Sequence, residues 1–478
     1  MTAASDSRRG ALLVAVLLSA LLFWVPLPFG SVVVWSHAVL QCAAFLLVAI
    51  AALVLPRESL PRRALVPAGA VAAIAGLALL QSARWPGGIV RALSPEHARL
   101  QEQAAAALTA AGGPEAVATA LSLAPDASRS AALTWLAVAA CAGVAAAVGR
   151  HRRERRVLLA GLVGAALLQV GLGTAALATR SASIWGVTVA GDASRLRGTF
   201  VNADHLAYLL EAALAIAFAW GWWATGRARW EEAPERRILL VAPPALLWVT
   251  LFVAVAFTGS RAGLVAALTA ALAQGLAVAA QRRRWRLGVS GLLAGAVGLG
   301  AVAAVSVQQG LGRWLATSPY ELSWNDRTVV YALCVQLWQR FPLLGSGLAT
   351  FRDAFPAVQP ADLAGSYWHA HNDWAELVVT TGVAGLGVVA VAAVITVRGL
   401  ATALRAGRRS EDRAAALAAL GVVASVAVHS CLDFGLSMPA NAVTLVSILA
   451  AALAVPVPPP TAAPAGQVRD QGPAGSSA

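Results

Sequence analysis

Two imidazoles, an amide, two carboxylates and two indoles fall within nine residues, Trp368-His369-Ala370-His371-Asn372-Asp373-Trp374-Ala375-Glu376, just before a long apolar run that begins near Leu377. An imidazole titrates near pH 6.5, so at neutral pH it can take a proton from an attacking hydroxyl. His369 and His371 would share a face in a strand but diverge by roughly 200° in a helix. Near a helix start only one of them is expected to enter a site. The same His-x-His, with Asp373, is a pattern zinc accepts, though no further ligand set accompanies it. A capping or surface histidine is the bland alternative.

A second group of residues suits anions. Arg195 and Arg197 lie in Arg195-Leu196-Arg197-Gly198-Thr199-Phe200, and Arg261 lies in the short turn Thr258-Gly259-Ser260-Arg261-Ala262-Gly263 between two apolar runs. A guanidinium at a bilayer edge is costly unless it is paired or snorkels to lipid phosphate. Its planar fork can grip phosphate oxygens two at a time. Asn202, ahead of Ala203-Asp204-His205, is placed to cap a helix whose first turn favours an anion. Glu211, two turns further on, is expected to be a site residue or the partner of an outer arginine. The last connection carries His429-Ser430-Cys431-Leu432-Asp433-Phe434 and then Pro439-Ala440-Asn441, and a His and an Asp at a helix end more often serve structure.

The elements that must position these groups are set by composition. Of 478 residues 59% are apolar and 12% charged, against about a quarter charged in soluble domains. Mean hydropathy is +0.70. Lipid is the solvent such a chain needs, and a spanning helix takes roughly 20 apolar residues. Apolar runs predict an all-α polytopic membrane protein with about twelve spans, near 10–28, 32–55, 64–82, 131–149, 157–178, 205–224, 238–257, 262–280, 287–306, 377–397, 414–430 and 438–456. None shows strand alternation. The net charge of +13 does not indicate nucleic acid: every basic residue is Arg, and 24 of the 36 fall in the tails or in alternate loops such as 150–156, 227–237 and 398–413. Those loops are expected to be cytoplasmic, with both termini.

The opposite side receives loops 83–130, 179–204 and 307–376. The first has a helical stretch from Pro95 to Leu108. The last lies between spans nine and ten, and in it Asn325-Asp326 can cap a helix from Arg327 to about Arg340, with Val330, Leu333, Leu337 and Phe341 as its apolar stripe. Such a helix is expected to lie on the bilayer or dock on the bundle. Ser7-Arg8-Arg9 before an apolar run resembles the start of a signal peptide, but no cleavage pattern follows, so an uncleaved first helix is expected. Cys42, Cys141, Cys334 and Cys431 lack metal spacing; a Cys334–Cys431 bridge is a minor alternative to four thiols. Residues 1–182 would hold the first five spans, 183–456 the chemistry, and 457–478 a disordered tail.

Taken together, four stretches resemble the O-antigen ligase and polymerase superfamily of bacterial envelope enzymes. Arg195 to His205 is similar to its Arg-x-x-Gly-Thr-Phe-x-Asn-x-Asn-His, with Asp204 in place of the second Asn. Gly259-Ser260-Arg261-Ala262-Gly263 is similar to its Ser-Arg-x-Gly turn. His371-Asn372, nine residues, Gly382, two residues and Gly385 match its His-Asn-x9-Gly-x-x-Gly, although Thr380-Thr381 stand where an acidic residue is common. His429 to Asn441 resembles the ending of polysaccharide-polymerase-like members.

The resemblance implies glycosyl transfer, at the outer face of a bacterial inner membrane, from a polyprenyl-diphosphate-linked glycan to a hydroxyl of a lipid or glycan acceptor. It implies no cofactor or obligatory metal, inversion at the anomeric carbon, and association with membrane lipids and polysaccharide-export partners. His371 would be the base, and Arg195 and Arg261, helped by Arg197, would hold the diphosphate. Asn202, His205, His369, Asn372, His429 and Asp433 would support them. A lipid-linked glycan flippase would want charged groups at mid-membrane in two related halves, which the sequence does not display; a protein O-oligosaccharyltransferase would share the chemistry.

Overall fold

The computed structural model describes residues 2–56, 60–113, 119–189, 193–282, 324–363, 365–407 and 409–457. In chain order the elements are α1 (Thr2–Trp24), α2 (Val34–Val54), α3 (Val66–Ser82), α4 (Gly87–Leu93), α5 (Pro95–Ala110), α6 (Pro125–Gly149) and α7 (Arg152–Ala178). A small antiparallel hairpin follows, β1 (Ser183–Ile184) on β2 (Val187–Thr188), with Ser183 opposite Thr188. Then come α8 (Ala203–Ala228), α9 (Pro234–Phe257), α10 (Arg261–Arg282), α11 (Trp324–Arg340), α12 (Phe351–Ala354), α13 (Asp373–Ala406), α14 (Ser410–His429) and α15 (Pro439–Leu453).

Among the described residues nine helices are long and apolar enough to cross a membrane: α2, α3 with the turn before it, α6 to α10, α13 and α14. The fold is therefore an all-α polytopic membrane protein. α1 and the 15-residue α15 are outside that set. The span predicted at 287–306, the first part of loop 307–376 and the tail from 458 lie outside the described residues. Several helices extend past their apolar runs: α6 starts at Pro125, whose missing N–H costs nothing at a first turn, and α13 starts at Asp373.

α8 is the column around which the others pack. From Ala203 to Ala217 every residue except Asp204 is buried, and α7, α9, α10, α14 and α15 all touch it. A helix buried on all sides needs apolar or small residues all round, which is what its Ala and Leu supply. By contrast α2, α9 and α13 turn large apolar side chains outward, among them Leu46, Leu53, Leu239, Leu246 and Val391. That is the arrangement lipid requires.

The two ends of the bundle are stitched differently. At the arginine-rich end Arg155 is buried, donating to the Gly149 carbonyl (2.7 Å) and pairing with Asp412 (2.6 Å) at the start of α14. Arg63 caps the end of α15 through the carbonyls of Leu453 and Val455. At the other end α13 is broken at Gly382, whose φ of 62° and ψ of −163° are not helical. Residues 342–347 lie against the break and take up its backbone groups. Val383 N–H donates to Pro342 (3.0 Å) and Ala384 N–H to Leu343 (3.1 Å), while the carbonyls of Val379 and Thr380 accept from Ser346 and Gly347. A Cβ on Gly382 would come within 2.4 Å of Leu343 backbone atoms, and one on Gly385 within 1.9 Å of the Thr381 hydroxyl. Both glycines are thus positions where any side chain would collide. Buried Gln81 of α3 completes the seam, donating to the carbonyls of Leu344 and Thr380 and accepting from Leu348 N–H.

α11 docks on the bundle through the predicted stripe. Val330, Leu333, Leu337 and Phe341 are buried against Phe351, Phe355, Ala370 and Val379. The ring of His97 of α5 meets Phe341 at a tilt (4.6 Å, 59° between planes) and is hydrogen-bonded to Ser94 (2.7 Å); burial lowers its pKa to about 4. The cysteines described are free thiols, so Cys334 and Cys431 do not form the bridge considered above.

Candidate functional site

The site is built at the N-terminal end of α8, away from the arginine-rich loops. Asn202 caps α8 as its sequence position predicts, its side chain accepting from Asp204 N–H at 2.9 Å. Before it, the segment Arg195–Phe200 is pinned in place. Gln169 of α7 accepts from Thr199 N–H (2.8 Å), the Thr199 hydroxyl donates to the Pro26 carbonyl (2.8 Å), and Phe200 is buried against Gly30. Leu196 N–H donates to the Phe257 carbonyl (2.9 Å) at the end of α9.

This tether brings the predicted arginines to the head of α8. Arg195 donates through Nε to the Thr258 carbonyl (2.6 Å) and pairs through Nη2 with Asp204 (2.7 Å). Gly259 turns the chain there at φ 66°, a backbone conformation that favours glycine. Arg261 opens α10 and is exposed, three residues beyond the carbonyl that Arg195 grips. Ser260 accepts from Gly263 N–H (3.0 Å), and Gly263 lets α10 close on Ala207 of α8, where a Cβ would come within 2.7 Å of the Ala207 methyl. Arg197 turns elsewhere: it is buried and donates to the Ala182 carbonyl (2.7 Å), bracing the loop beneath the hairpin.

Across from the arginines the start of α13 meets the α14–α15 connection. Asn372 caps α13 by accepting from Ala375 N–H (3.0 Å) and donates to the Cys431 carbonyl (2.9 Å). Asp373 is saturated, its Oδ2 accepting from Tyr208 OH (3.0 Å), Ser430 Oγ (2.8 Å) and Leu436 N–H (3.1 Å). His371, at φ 51°, is held in the left-handed region, and Tyr331 of α11 donates to its carbonyl (2.8 Å). A non-glycine residue so placed signals a surrounding structure that fixes it.

The two candidate histidines part company. His369 Nδ1 pairs with Glu376 (2.9 Å), and its ring stacks on Phe434 (4.3 Å). His371 Nδ1 faces Asp433 Oδ1 at 3.6 Å, an electrostatic pairing longer than a hydrogen bond. Burial disfavours charge on His369, but Glu376 more than offsets it and the imidazole is held above its ordinary value. Burial likewise works against the Asp433 carboxylate, yet the imidazoles of His371, His205 and His429 outweigh it and hold the carboxyl well below the usual range. With Asp433 ionised, the proton of a neutral His371 belongs on Nδ1, which leaves Nε2 as the acceptor.

Phe434 joins the two halves of the site. Its ring is edge-on to His371 (4.8 Å) and to His205 (4.7 Å), next to Asp204 and so to Arg195. Asn441 steadies the same corner through the carbonyls of His205 and Gly435 (3.1 Å each). His429 lies deeper, paired with Glu211 (2.7 Å) with both fully buried, and Tyr208 stacks on its ring (3.9 Å). Of the two readings its position allowed, the pairing with an outer arginine does not form: Glu211 pairs with a histidine of α14, because it lies two turns below the arginines, where α14 and not a loop faces α8.

Tyr208 is the residue that sequence reasoning missed. Asp204, Tyr208 and Glu211 fall on one face of α8 by helical spacing, and a polar stripe on an apolar helix was the signal available. Among the described residues no three His, Cys, Asp or Glu side chains form a metal-binding group; His369, His371 and Asp373 each face different partners. A cleft of about 600 Å³, lined by Arg227, Trp230, Glu231, Arg236, Leu239 and Leu240, lies at the far end of α8 from these groups.

The fold and site together define a multi-pass membrane protein with a carboxylate-paired histidine and two arginines gathered at one end of its bundle. Residues 245–390 match the family described as O-Antigen ligase, a match that supports the resemblance to the O-antigen ligase and polymerase superfamily. The matched segment holds Arg261, His371, Asn372, Gly382 and Gly385, while Arg195–His205 and His429–Asn441 lie outside it. No curated protein matches the chain.

Proposed function

We propose that this protein moves a glycan from a polyprenyl diphosphate carrier to a hydroxyl of a lipid or glycan acceptor, on the side of the membrane away from its arginine-rich loops. The observation that carries the reading is the pairing of His371 with buried Asp433, joined through Phe434 and His205 to the head of α8 where Arg195 and Arg261 stand.

His371 Nε2 takes the acceptor's hydroxyl proton as that oxygen bonds to the anomeric carbon. The carbon–oxygen bond to the diphosphate breaks with its electron pair, so the lipid diphosphate leaves as an anion and the anomeric centre inverts. Asp433 keeps Nδ1 protonated and stabilises the imidazolium that forms. Arg261 is the accessible guanidinium for the diphosphate, and Arg195, anchored to Thr258 and Asp204, sets the positive field beside it. A diphosphate needs no proton to leave, so a base with arginines suffices where a glycosidase needs two carboxyl groups.

The test uses purified protein with lipid-linked repeat units, with and without an acceptor lipid. Chain growth without acceptor lipid identifies a polymerase, which the His429–Asn441 ending favours; transfer only when acceptor lipid is present identifies a ligase. Movement of intact donor across the bilayer with no glycan transfer would replace the proposal with a flippase.

A further inference from the structure

Trp368 is a large indole left in the open beside the proposed base. It is 59% exposed, although its neighbours in the same loop are engaged: Tyr367 leans on Phe355 (5.2 Å), and Ala370 is buried. The Arg352 guanidinium, from α12, lies over the indole ring with its carbon 3.8 Å from the ring centroid. That contact fixes the plane of the ring and occupies one face. The loop that carries it is folded on itself through Gln359, which donates to the carbonyls of Leu363 (2.7 Å) and Gly365 (2.9 Å).

We propose that the open face of Trp368 is a sugar-binding subsite, on which a pyranose of the glycan stacks while the reacting unit lies at His371. This inference rests on the function proposed above. An indole face is electron-rich, and the C–H face of a pyranose is apolar and weakly positive, so the two stack. Placement supports the pairing. Three residues of chain span at most about 11 Å, which keeps Trp368 within one or two sugar units of His371. The path between them is paved with rings: His369 follows Trp368, stacks on Phe434 (4.3 Å), and Phe434 meets His371 edge-on (4.8 Å).

A membrane anchor is the other use of an exposed tryptophan. The surroundings of Trp368 oppose it. Arg352, Asp353, Asp362 and Ser366 are exposed around the loop, so charged and polar groups flank the indole.

The probe is the reducing repeat-unit oligosaccharide released by mild acid from the source cell's own lipid-linked donor. Its binding is measured by titration calorimetry on the full chain in nanodiscs. Trp368→Ala is expected to weaken binding about 5- to 10-fold and Trp368→Phe less than about 3-fold. In turnover Trp368→Ala raises the acceptor or donor KM by a similar factor and lowers kcat less. Arg352→Gln, which frees the ring without removing it, loses about 2-fold and serves if the alanine variant fails to fold. His371→Ala is expected to bind the oligosaccharide like wild type. Wild-type binding and KM in both Trp368→Ala and Arg352→Gln would overturn the subsite, and a change only in membrane partitioning would make Trp368 an anchor. Because binding is read without catalysis, failure of the base assignment, seen as transfer by His371→Ala, stays separate from failure of the subsite.

Discussion

A single carboxylate decides what His371 can do. Asp433 is buried, and among the described residues neither of its oxygens accepts a hydrogen bond; the imidazoles of His371, His205 and His429 are what favour its charge. Its depressed pKa means that its contribution to stability is present above the ordinary Asp value and is lost only as pH falls through the lowered one. Around neutrality it is a fixed negative charge. Asp433→Asn should therefore leave the protein folded at pH 7 and reduce kcat by about 100-fold or more, because an amide no longer selects the Nδ1–H tautomer; single-turnover kinetics beside a thermal melt would check both halves. The raised pKa of His369 has the opposite sign. Its pairing with Glu376 is complete below the ordinary histidine value and is lost as pH rises through the raised one. The acidic partner favours charge on the neighbouring imidazole, and this separates a structural histidine from the candidate base two residues on. Their residue types were legible in the sequence, but their partners were not, since Glu376 and Asp433 are equally plausible neighbours until the chain is folded.

Helices and their breaks put those groups within reach. Nine of the predicted spans, the Asn202 cap and the stripe Val330, Leu333, Leu337 and Phe341 could be read from spacing, because each is a local pattern of burial or hydrogen bonding. The break at Gly382 could not, because the loop 342–347 that fills it comes from more than thirty residues earlier in the chain. Gln81, which seals that seam, is remoter still. Nor could the Glu211–His429 pair be read, for it joins α8 to α14. Gly435 shows how tight the fit is: a Cβ there would come within 2.1 Å of the Tyr208 ring, whose hydroxyl supports Asp373. Gly435→Ala should cost about 1–3 kcal/mol of stability and lower activity by displacing Tyr208. Gly387→Ala, where a Cβ meets nothing within 4 Å, should melt at or above the wild-type temperature. Equal melting temperatures for the two variants would contradict the packing described.

Over the whole molecule, function divides by end. α8, about 39 Å long at 1.5 Å per residue, carries the candidate site at its N-terminus and arginine-rich loops at its other end. Charge asymmetry along the sequence already marked that division. It did not reveal that Arg63 and Arg155 also fasten helix ends, which turns a topology signal into part of the core. The central claim is that one end of this bundle gathers a base and an anion-binding pair for glycan transfer. Its most direct test compares release of polyprenyl diphosphate from a lipid-linked glycan donor by wild-type protein and by His371→Ala, at equal amounts of folded protein. Turnover is predicted to fall by about 100-fold or more in the variant, with donor binding retained. Release at the wild-type rate by His371→Ala would contradict the account.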